Sequence, residues 1–345
     1  MNEVTDVEPG GPPGAGRRLA KVAASAAVVG LPWLWFAVRD LDARLDYAAL
    51  VLPLLAVVGL LGALAGLLAA CVRRRFRACA VACVASWFLF GLLSTIGPRY
   101  ARPTARPTNP VRILAANVAD REDSVLAALQ ADDRIDVVVL SESTGRLAPA
   151  LRARLPYVHT VNVATTGLTV ASRYPLQQVD GVDGDLFRRG RGVRFIVDQP
   201  GEPFMLYAFH LPKAGADLAP WSRFVDAPDV EYATYGTLGA AAHRALAAEL
   251  RRRAEAERLP TVVAGDFNSS DRGGDYRALV RGRRDAMRSA FASGTSRRTA
   301  LIRALSLRID HLVVPNDWCA ADAGRVELPG SDHWGIVASV GRCPG

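Results

Sequence analysis

The sequence predicts an α/β layered domain with mixed sheets, carried behind three membrane-spanning helices. Three observations predict it. The N-terminal 97 residues contain three apolar stretches of about 20 residues, each long enough to cross a bilayer. The remainder alternates apolar runs of strand length with a few helical segments. Polar residues recur at the ends of those strands, where such domains assemble sites.

Residues 1–16, MNEVTDVEPGGPPGAG, are acidic and rich in Gly and Pro, the composition of a disordered tail. Residues 17–97 are read as the membrane region. Its spans are Leu19 to Val38, with Lys21 near enough to one end to snorkel, Tyr47 to Cys71 without a charge, and Ala78 to Gly97. Two further spans follow the first at once, which argues against a cleaved signal peptide. Arg17, Arg18 and Lys21 flank the first span, and Arg73, Arg74, Arg75 and Arg77 fill the loop between the second and third. The loop RDLDARLD between the first two carries more acids than bases. The positive-inside rule therefore places the N-terminus and the Arg loop in the cytoplasm and everything after Gly97 outside, opposed only by Arg99, Arg102 and Arg106. Cys319 and Cys343 stand alone in the exported part, so one disulfide between them is expected.

Residues 98–109, PRYARPTARPTN, hold Pro98, Pro103 and Pro107 and predict an extended, stiff linker. The globular domain runs from 110 to 345. Strands are expected at Val111–Ala115, Ile135–Leu140, Tyr157–Val163, Leu168–Ser172, Val193–Val197, Met205–His210, Thr261–Ala264, Leu307–Val314 and Ile336–Val340. SVLAALQ reads as a short helix and Gly239–Arg258 as a long amphipathic one. The part after residue 97 has 33 basic against 28 acidic residues, a mild excess that fits a phosphate-bearing or anionic partner without selecting one.

The strand ends carry a specific inventory. Asn117 follows RILAA, Glu142 follows VVVLS, His210 ends MLYAF, and Asp266 and Asn268 follow VVAG. Asp310 and His311 follow SLRI, and Asp332 and His333 precede WGIVASV. A lone Asp or Asn after a strand usually serves a turn; six strand-end sites with this composition do not reduce to turns. Glu142, Asp266 and Asp332 offer hard oxygen ligands of the kind Mg²⁺ takes. His210 and His333 can donate to phosphate oxygens or move a proton. The chain contains no HExxH, no zinc-spaced Cys/His cluster, no Walker loop and no G-x-S-x-G.

These motifs, in this order, resemble the endonuclease/exonuclease/phosphatase superfamily, which includes DNase I-like nucleases, sphingomyelinases and inositol-polyphosphate phosphatases. AANV, LSE, SRYPL, AFHLP, GDFN, RIDHLVV and SDHWG cover essentially residues 111–340. The resemblance implies a four-layer α/β sandwich and hydrolysis of a phosphoester with Mg²⁺ or Mn²⁺. It implies Glu142 as main metal ligand with Asn117 and Asp332 nearby, and Asp266 as the group orienting or deprotonating water. Asn268 and His210 would contact phosphate, and His333 would act on it, oriented by Asp310. Two positions depart from the family pattern: Ser141 stands where Gln is common and Trp334 where Arg often follows.

Three spans before such a domain resemble a narrower bacterial subgroup associated with glycopeptide (vancomycin/teicoplanin-type) resistance. That resemblance implies an outward-facing multi-pass enzyme acting on a lipid-linked envelope phosphate such as a polyprenyl pyrophosphate. Arg188, Arg189, Arg191 and Arg194 read either as a binder of a diphosphate or anionic lipid or as a solvated basic turn. Residues 212–236, with Trp221, Phe224, Tyr232 and Tyr235, read either as a membrane-facing lid or as an ordinary long loop. An outward-facing nuclease, a sphingomyelinase-like phospholipase C and a non-catalytic receptor are the alternatives. The oligomeric state is left open.

Overall fold

A computed structural model of the protein describes residues 15–72, 77–119, 121, 123–163, 166–179, 192–215, 237–296 and 306–345. The N-terminal part folds as three helices, α1 (Ala15–Val38), α2 (Leu45–Val72) and α3 (Arg77–Gly91), the last continued by a π-helical turn at Leu92–Ile96 and a tight turn at Gly97–Arg99. Leu45–Val72 and Arg77–Arg99 are long and apolar enough to cross a membrane. The apolar part of α1, Ala26–Val38, is shorter than a full span, so three spans were expected and two meet the length test among the described residues. Ala49, Leu52, Ala56 and Phe90 form the buried seam of the helices, with Trp35, Phe36 and Trp87 packed around it.

Two sheets follow. Their strands are β1 (Val111–Asn117), β2 (Val137–Ser141), β3 (Tyr157–Val163), β4 (Thr166–Ser172), β5 (Leu176–Gln178), β6 (Gly192–Val197), β7 (Phe204–His210), β8 (Lys213–Gly215), β9 (Thr237–Gly239), β10 (Thr261–Asp266), β11 (Arg283–Asp285), β12 (Asp310–Pro315), β13 (Trp318–Val326) and β14 (Gly335–Arg342). One sheet has the order β13-β14-β1-β2-β4-β3, the other β11-β12-β10-β7-β6-β5, and β8 pairs with β9. Both large sheets are mixed: β1–β2 and β7–β10 pair parallel, and their other pairings are antiparallel. The helices are α4 (Asp123–Ala131), α5 (Ala148–Arg152), α6 (Ala240–Ala256) and α7 (Gly274–Val280).

The side-chain alternation of the strands makes the layers. Ile113 and Ala115 of β1, Val137 and Val139 of β2, Leu206 and Ala208 of β7, and Val262 and Ala264 of β10 point into the core shared by the two sheets. Their neighbours point the other way. Leu114, Ala116, Val138 and Leu140 meet Val125 and Leu129 of α4 and Leu151 of α5. Met205, Tyr207, Phe209 and Val263 meet Ala247 and Leu250 of α6 and Leu279 of α7. Strands buried on both faces explain the unbroken apolar runs in the sequence. The result is helix, sheet, sheet, helix: the expected four layers.

Cys319 and Cys343 form a disulfide that ties β13 to the chain end beyond β14, as expected, with Cα atoms 4.9 Å apart. The proline-rich segment is extended but strapped to the domain. Arg102 N–H donates to the Arg288 carbonyl, Thr104 Oγ1 bonds both backbone groups of Ala320, and Thr108 N–H donates to the Arg342 carbonyl. The N-terminal helices also dock on the domain. Arg244 of α6 grips Asp46 through two contacts of 2.9 and 3.0 Å, and Gly274 N–H donates to Asp46 Oδ1 at 2.5 Å. Arg277 reaches Asp40 at 2.6 Å. Arg99, at the end of the third helix, is buried against Asp271 at 2.9 Å. The acidic loop RDLDARLD and Arg99 thus supply the grip of the N-terminal helices on the domain.

Candidate active site

Strand register gathers the site. In the second sheet, Asp266 lies beside His210 on β7 and beside Asp310 on β12, so three distant chain positions form one row. In the first sheet, the β1–β2 register sets Asn117 beside Ser141, and Glu142 follows at once. The approach to β14 brings Asp332 and His333 alongside, since Ile336 pairs with Ala115. The two sheets meet at Asn117, whose Nδ2 donates to Glu142 Oε1 at 3.0 Å and to Asp266 Oδ2 at 2.9 Å. His210 Nε2 lies 3.5 Å from Glu142 Oε1 and 3.7 Å from Asp266 Oδ2. His333 Nδ1 is 2.9 Å from Asp310 Oδ2, and its Nε2 is 3.9 Å from Asp266 Oδ2 and 4.0 Å from Asp332 Oδ1. All eight expected residues therefore lie in or directly beside one cluster.

The backbone is specialised at this spot. Ala119, Glu142 and Asn268 adopt φ values of +44°, +53° and +48°, in the left-handed region that costs non-glycine residues energy. Each lies within two residues of the end of β1, β2 or β10. Gly265, at φ +136°, has no room for a side chain: a Cβ there would lie 1.9 Å from the Phe209 carbonyl oxygen. That close approach of β10 to β7 seats Asp266 next to His210.

Electrostatics divides the roles. Burial alone would raise the Asp266 carboxyl, but His333 and His210, with the Asn117 amide and the Asn268 N–H, hold it below its ordinary value. Burial works against charge on His333 too, yet Asp310, Asp266 and Asp332 outweigh it and push the imidazole up to about 10. Burial and the nearby Asp266 raise Asp310 against the pull of His333. The hydrogen-bonded Asp310–His333 pair therefore keeps a proton at neutral pH, and Asp266 stays ionised.

Four carboxylates face two imidazoles, so the cluster stays negative even with both histidines charged. Asp310 Oδ1 is buried without a hydrogen-bond partner among the described residues. One ligand atom each from Asp266, Asp310 and His333 falls within 4.8 Å of the others. Glu142 and Asp332 have side chains 13% and 26% exposed, so their oxygens open toward solvent. An oxygen-rich, negative, half-open donor set of this kind fits a hard divalent cation.

Some expectations meet different geometry. Asn117, expected beside a metal, uses its amide nitrogen as a clamp between two carboxylates while its Oδ1 accepts from Ala119 N–H at 3.0 Å. Asn268, expected at a phosphate, donates from Nδ2 to the Leu211 carbonyl at 2.8 Å in this arrangement, and so braces the loop. His311 faces away from the cluster. Its Nε2 meets the Ser269 carbonyl at 2.8 Å, and burial with the Arg308 charge lowers its pKa to about 4. Arg194 is engaged with Glu257 at 3.0 Å rather than presented to a ligand. Trp334 stacks under the Arg325 guanidinium, 4.4 Å from the ring centre. Arg188, Arg189, Arg191, Trp221, Phe224, Tyr232 and Tyr235 lie outside the described residues.

Two supporting residues escaped the sequence reading. Ser331 Oγ accepts from His333 N–H at 3.0 Å and donates to the Asn117 carbonyl at 2.8 Å. Thr295 Oγ1 accepts from Asp310 N–H at 3.2 Å. Ser331 sits inside the SDH motif and could have been singled out there; Thr295 carries no local signal.

Comparison with known proteins completes the picture. Residues 98–333 match the model of the Endonuclease/Exonuclease/phosphatase family. No curated protein matches the chain. Similar solved structures include an endonuclease/exonuclease/phosphatase from Bacteroides vulgatus, with 18% identity over 68% of this chain and 99% of that one, and a TM-score of 0.48. The catalytic domain of human Nocturnin with bound sulfate shares 14% identity over 69% of this chain and 96% of that one, with a TM-score of 0.47. A Bacteroides thetaiotaomicron mannosyl-6-phosphatase shares 14% over 67% and 99%, with a TM-score of 0.44.

Proposed function

The chain belongs to the endonuclease/exonuclease/phosphatase family, and on that premise we propose that it is a membrane-anchored, metal-dependent phosphoesterase that cleaves a lipid-linked phosphate or pyrophosphate outside the membrane. The observation that carries the chemistry is the convergence of Glu142, Asp266, Asp310, Asp332, His210 and His333 where the two sheets meet. A contribution to glycopeptide resistance belongs to the same reading, through the subgroup the anchored architecture resembles.

Glu142 and Asp332 would hold a divalent cation, Mg²⁺ or Mn²⁺, with Asn117 fixing the Glu142 carboxylate. Such a cation supplies charge neutralisation at a phosphoryl oxygen. Asp266, kept ionised and held by Asn117 and Asn268, accepts a proton from the attacking water. His333, kept protonated by Asp310, donates to a phosphoryl oxygen or to the leaving oxygen. His210 adds a second donor across the cleft. Asp310 orients His333 as the third member of a triad orients its base.

The lipid-side reading is supported by two helices of membrane length, by the docking of Asp46 and Arg99 on the domain, and by the Cys319–Cys343 disulfide, a bond of oxidising compartments. Asn268 and Asp271, three residues apart, can be separated by at most about 11 Å, so the site lies close to the end of the third helix. The test is a substrate panel of lipid diphosphates, phospholipids and DNA on the full-length protein in nanodiscs, with and without chelator. Mg²⁺-dependent phosphate release from a lipid diphosphate, lost in Glu142→Gln and His333→Ala, is expected. Turnover of DNA alone would replace the lipid reading with a nuclease. Full activity in both variants would overturn the site.

A further inference from the structure

Where the third helix meets the domain, four arginines line one pocket of about 280 Å³: Arg102 of the proline-rich strap, Arg283 and Arg284 of β11, and Arg288 of the turn after it. Ligand pockets begin at about 300 Å³, so this one suits a headgroup rather than a whole lipid. It is not the catalytic cluster. Arg283 pairs with Pro315 at the far end of β12 from Asp310, five residues or about 17 Å away. Asp285 is the carboxylate on the wall, and it is already taken: Arg308 pairs with it at 2.6 Å and Tyr276 donates to it at 2.6 Å. None of the four lining arginines is ion-paired among the described residues; the guanidinium contacts there are to neutral carbonyls. Arg284 Nε donates to Asn316 at 2.7 Å, and Arg283 Nη2 donates to Thr261. Arg288 donates from Nη2 to Gly97 at 3.4 Å and to Tyr100 at 3.3 Å, and from Nε to Tyr100 at 3.4 Å. Arg102 is exposed, and its backbone N–H, 2.6 Å from the Arg288 carbonyl, holds it beside Arg288. Two buried donors on the wall, Arg283 Nε and Ser289 Oγ, have no hydrogen-bond partner among the described residues.

Such a wall is short of negative charge. Burial lowers the Arg288 pKa, and the neighbouring Arg102 and Arg308 charges add to that. Burial likewise lowers Arg283, to about 10. Half-buried charge without a counter-charge is costly, and an anion would relieve it. Guanidinium groups are suited to capture of phosphate oxygens. Position selects the source of the phosphate. Leu92, Leu93 and Ile96, at the end of the third helix, are exposed apolar side chains, and Tyr100 beyond them is 68% exposed, an amphipathic ring of the kind found at bilayer surfaces. Arg102 stands three residues past Arg99, the last residue of the helix end, so it lies within about 11 Å of it. The headgroup layer on each side of a bilayer is about 5–7 Å deep. We infer that the Arg102–Arg283–Arg284–Arg288 pocket binds the phosphate of an anionic phospholipid in the surrounding membrane, a non-catalytic site that seats the domain on the bilayer surface. This rests on the membrane-anchored reading of the helices. It also gives Arg102, which the positive-inside rule disfavours outside the membrane, a counter-charge.

The test measures which lipid stays with the protein. Full-length protein is placed in nanodiscs of equal parts phosphatidylcholine and phosphatidylglycerol, and the lipids it retains on release are counted by native mass spectrometry. Wild type should retain phosphatidylglycerol in preference to phosphatidylcholine. Arg102→Gln and Arg284→Gln should each lower that preference about fivefold, the effect of one arginine near a charged membrane surface. Arg102→Lys should keep most of it. Arg281→Gln, which removes an exposed arginine outside the pocket, should leave it unchanged. Arg102 makes no side-chain contact among the described residues, so its variants report even where Arg284→Gln fails to fold. Equal retention of the two lipids by wild type, or an equal loss in Arg281→Gln, would overturn the site. Titrating inorganic phosphate into protein in pure phosphatidylcholine nanodiscs supplies the free anion as a rival. Phosphate binding that Arg102→Gln abolishes, with no preference for phosphatidylglycerol, would overturn the lipid as the source. Protein that remains soluble without lipid or detergent would overturn the anchored reading and the site together. Incorporation into nanodiscs without lipid preference would overturn the site alone.

Discussion

Replacing Asp310 by Asn tests the chemistry at its most buried point. Asp310 is fully buried, and its Oδ2 receives His333 Nδ1 at 2.9 Å. Asn keeps the volume and removes the charge. To go on accepting from Nδ1, its oxygen must take the Oδ2 position. Its NH₂ then occupies the Oδ1 position, where the wild-type oxygen has no hydrogen-bond partner among the described residues. The variant therefore exchanges a charge-assisted bond for a neutral one and leaves a buried donor unsatisfied. A bond to a charged group contributes about 1.5–3 kcal/mol. If all of that is expressed in the transition state, the rate falls about 10- to 150-fold at 1.36 kcal/mol per decade. The assay is initial phosphate release by the full-length protein at saturating and limiting substrate, with a thermal melt to show that the variant folds. A kcat within about threefold of wild type, in a folded variant, would refute Asp310 as the residue that positions His333.

Three further predictions concern the frame. Gly265→Ala should abolish the folded state, costing about 4 kcal/mol or more, because it combines a backbone clash at 1.9 Å with φ +136°; a cooperative melt like that of wild type would count against the close approach of β10 to β7. Asp271 is pushed up by burial but held well below the carboxylate range by Arg99, Arg308 and Arg272. Its folded-state pKa is depressed, so its contribution is complete above the unfolded value of about 3.9 and is lost as pH falls below it; Asp271→Asn should flatten the acid limb of a stability–pH curve, and an unchanged limb would contradict the pairing. Arg244→Ala should loosen the N-terminal helices from the domain, broadening the spin-label distance between α2 and α6, since it removes a two-contact grip on a buried Asp46; an unaltered distance distribution would show that Asp40, Arg99 and the Gly274 N–H on Asp46 hold the interface without it.

The parts of the fold legible in the sequence are those with strong periodicity. β1, β2, β7 and β10 were readable because both faces are buried, which makes them short continuous apolar runs. β13 was not, because after Trp318, Cys319 and Ala320 it turns to Ala321, Asp322 and Ala323 with a register shift before Gly324, so no period survives. Helix α7 was missed for a related reason: at seven residues it is too short to show a stripe, and Leu279 and Tyr276 are its main buried side chains. At the site, residue types and strand-end positions were legible, but directions were not. Nothing local distinguishes Asp310, which faces His333, from His311, which alternation turns to the opposite side. The pairing of Arg99 with Asp271 was equally hidden, because it joins positions 172 residues apart.

That pairing has a bearing on how the chain is made. Gly274 meets Asp46 across 228 positions, and Asp271 meets Arg99 across 172. The segments that offer Asp46 and Arg99 are synthesised first, and the loop that takes them up is complete only after most of the first-sheet strands and β7 exist. Such late, long-range closures are slow. The seam between the N-terminal helices and the domain therefore belongs, with the β1–β14 pairing, to the long-range contacts that close slowly, and the loop just beyond Asp266 and Asn268 takes part in it.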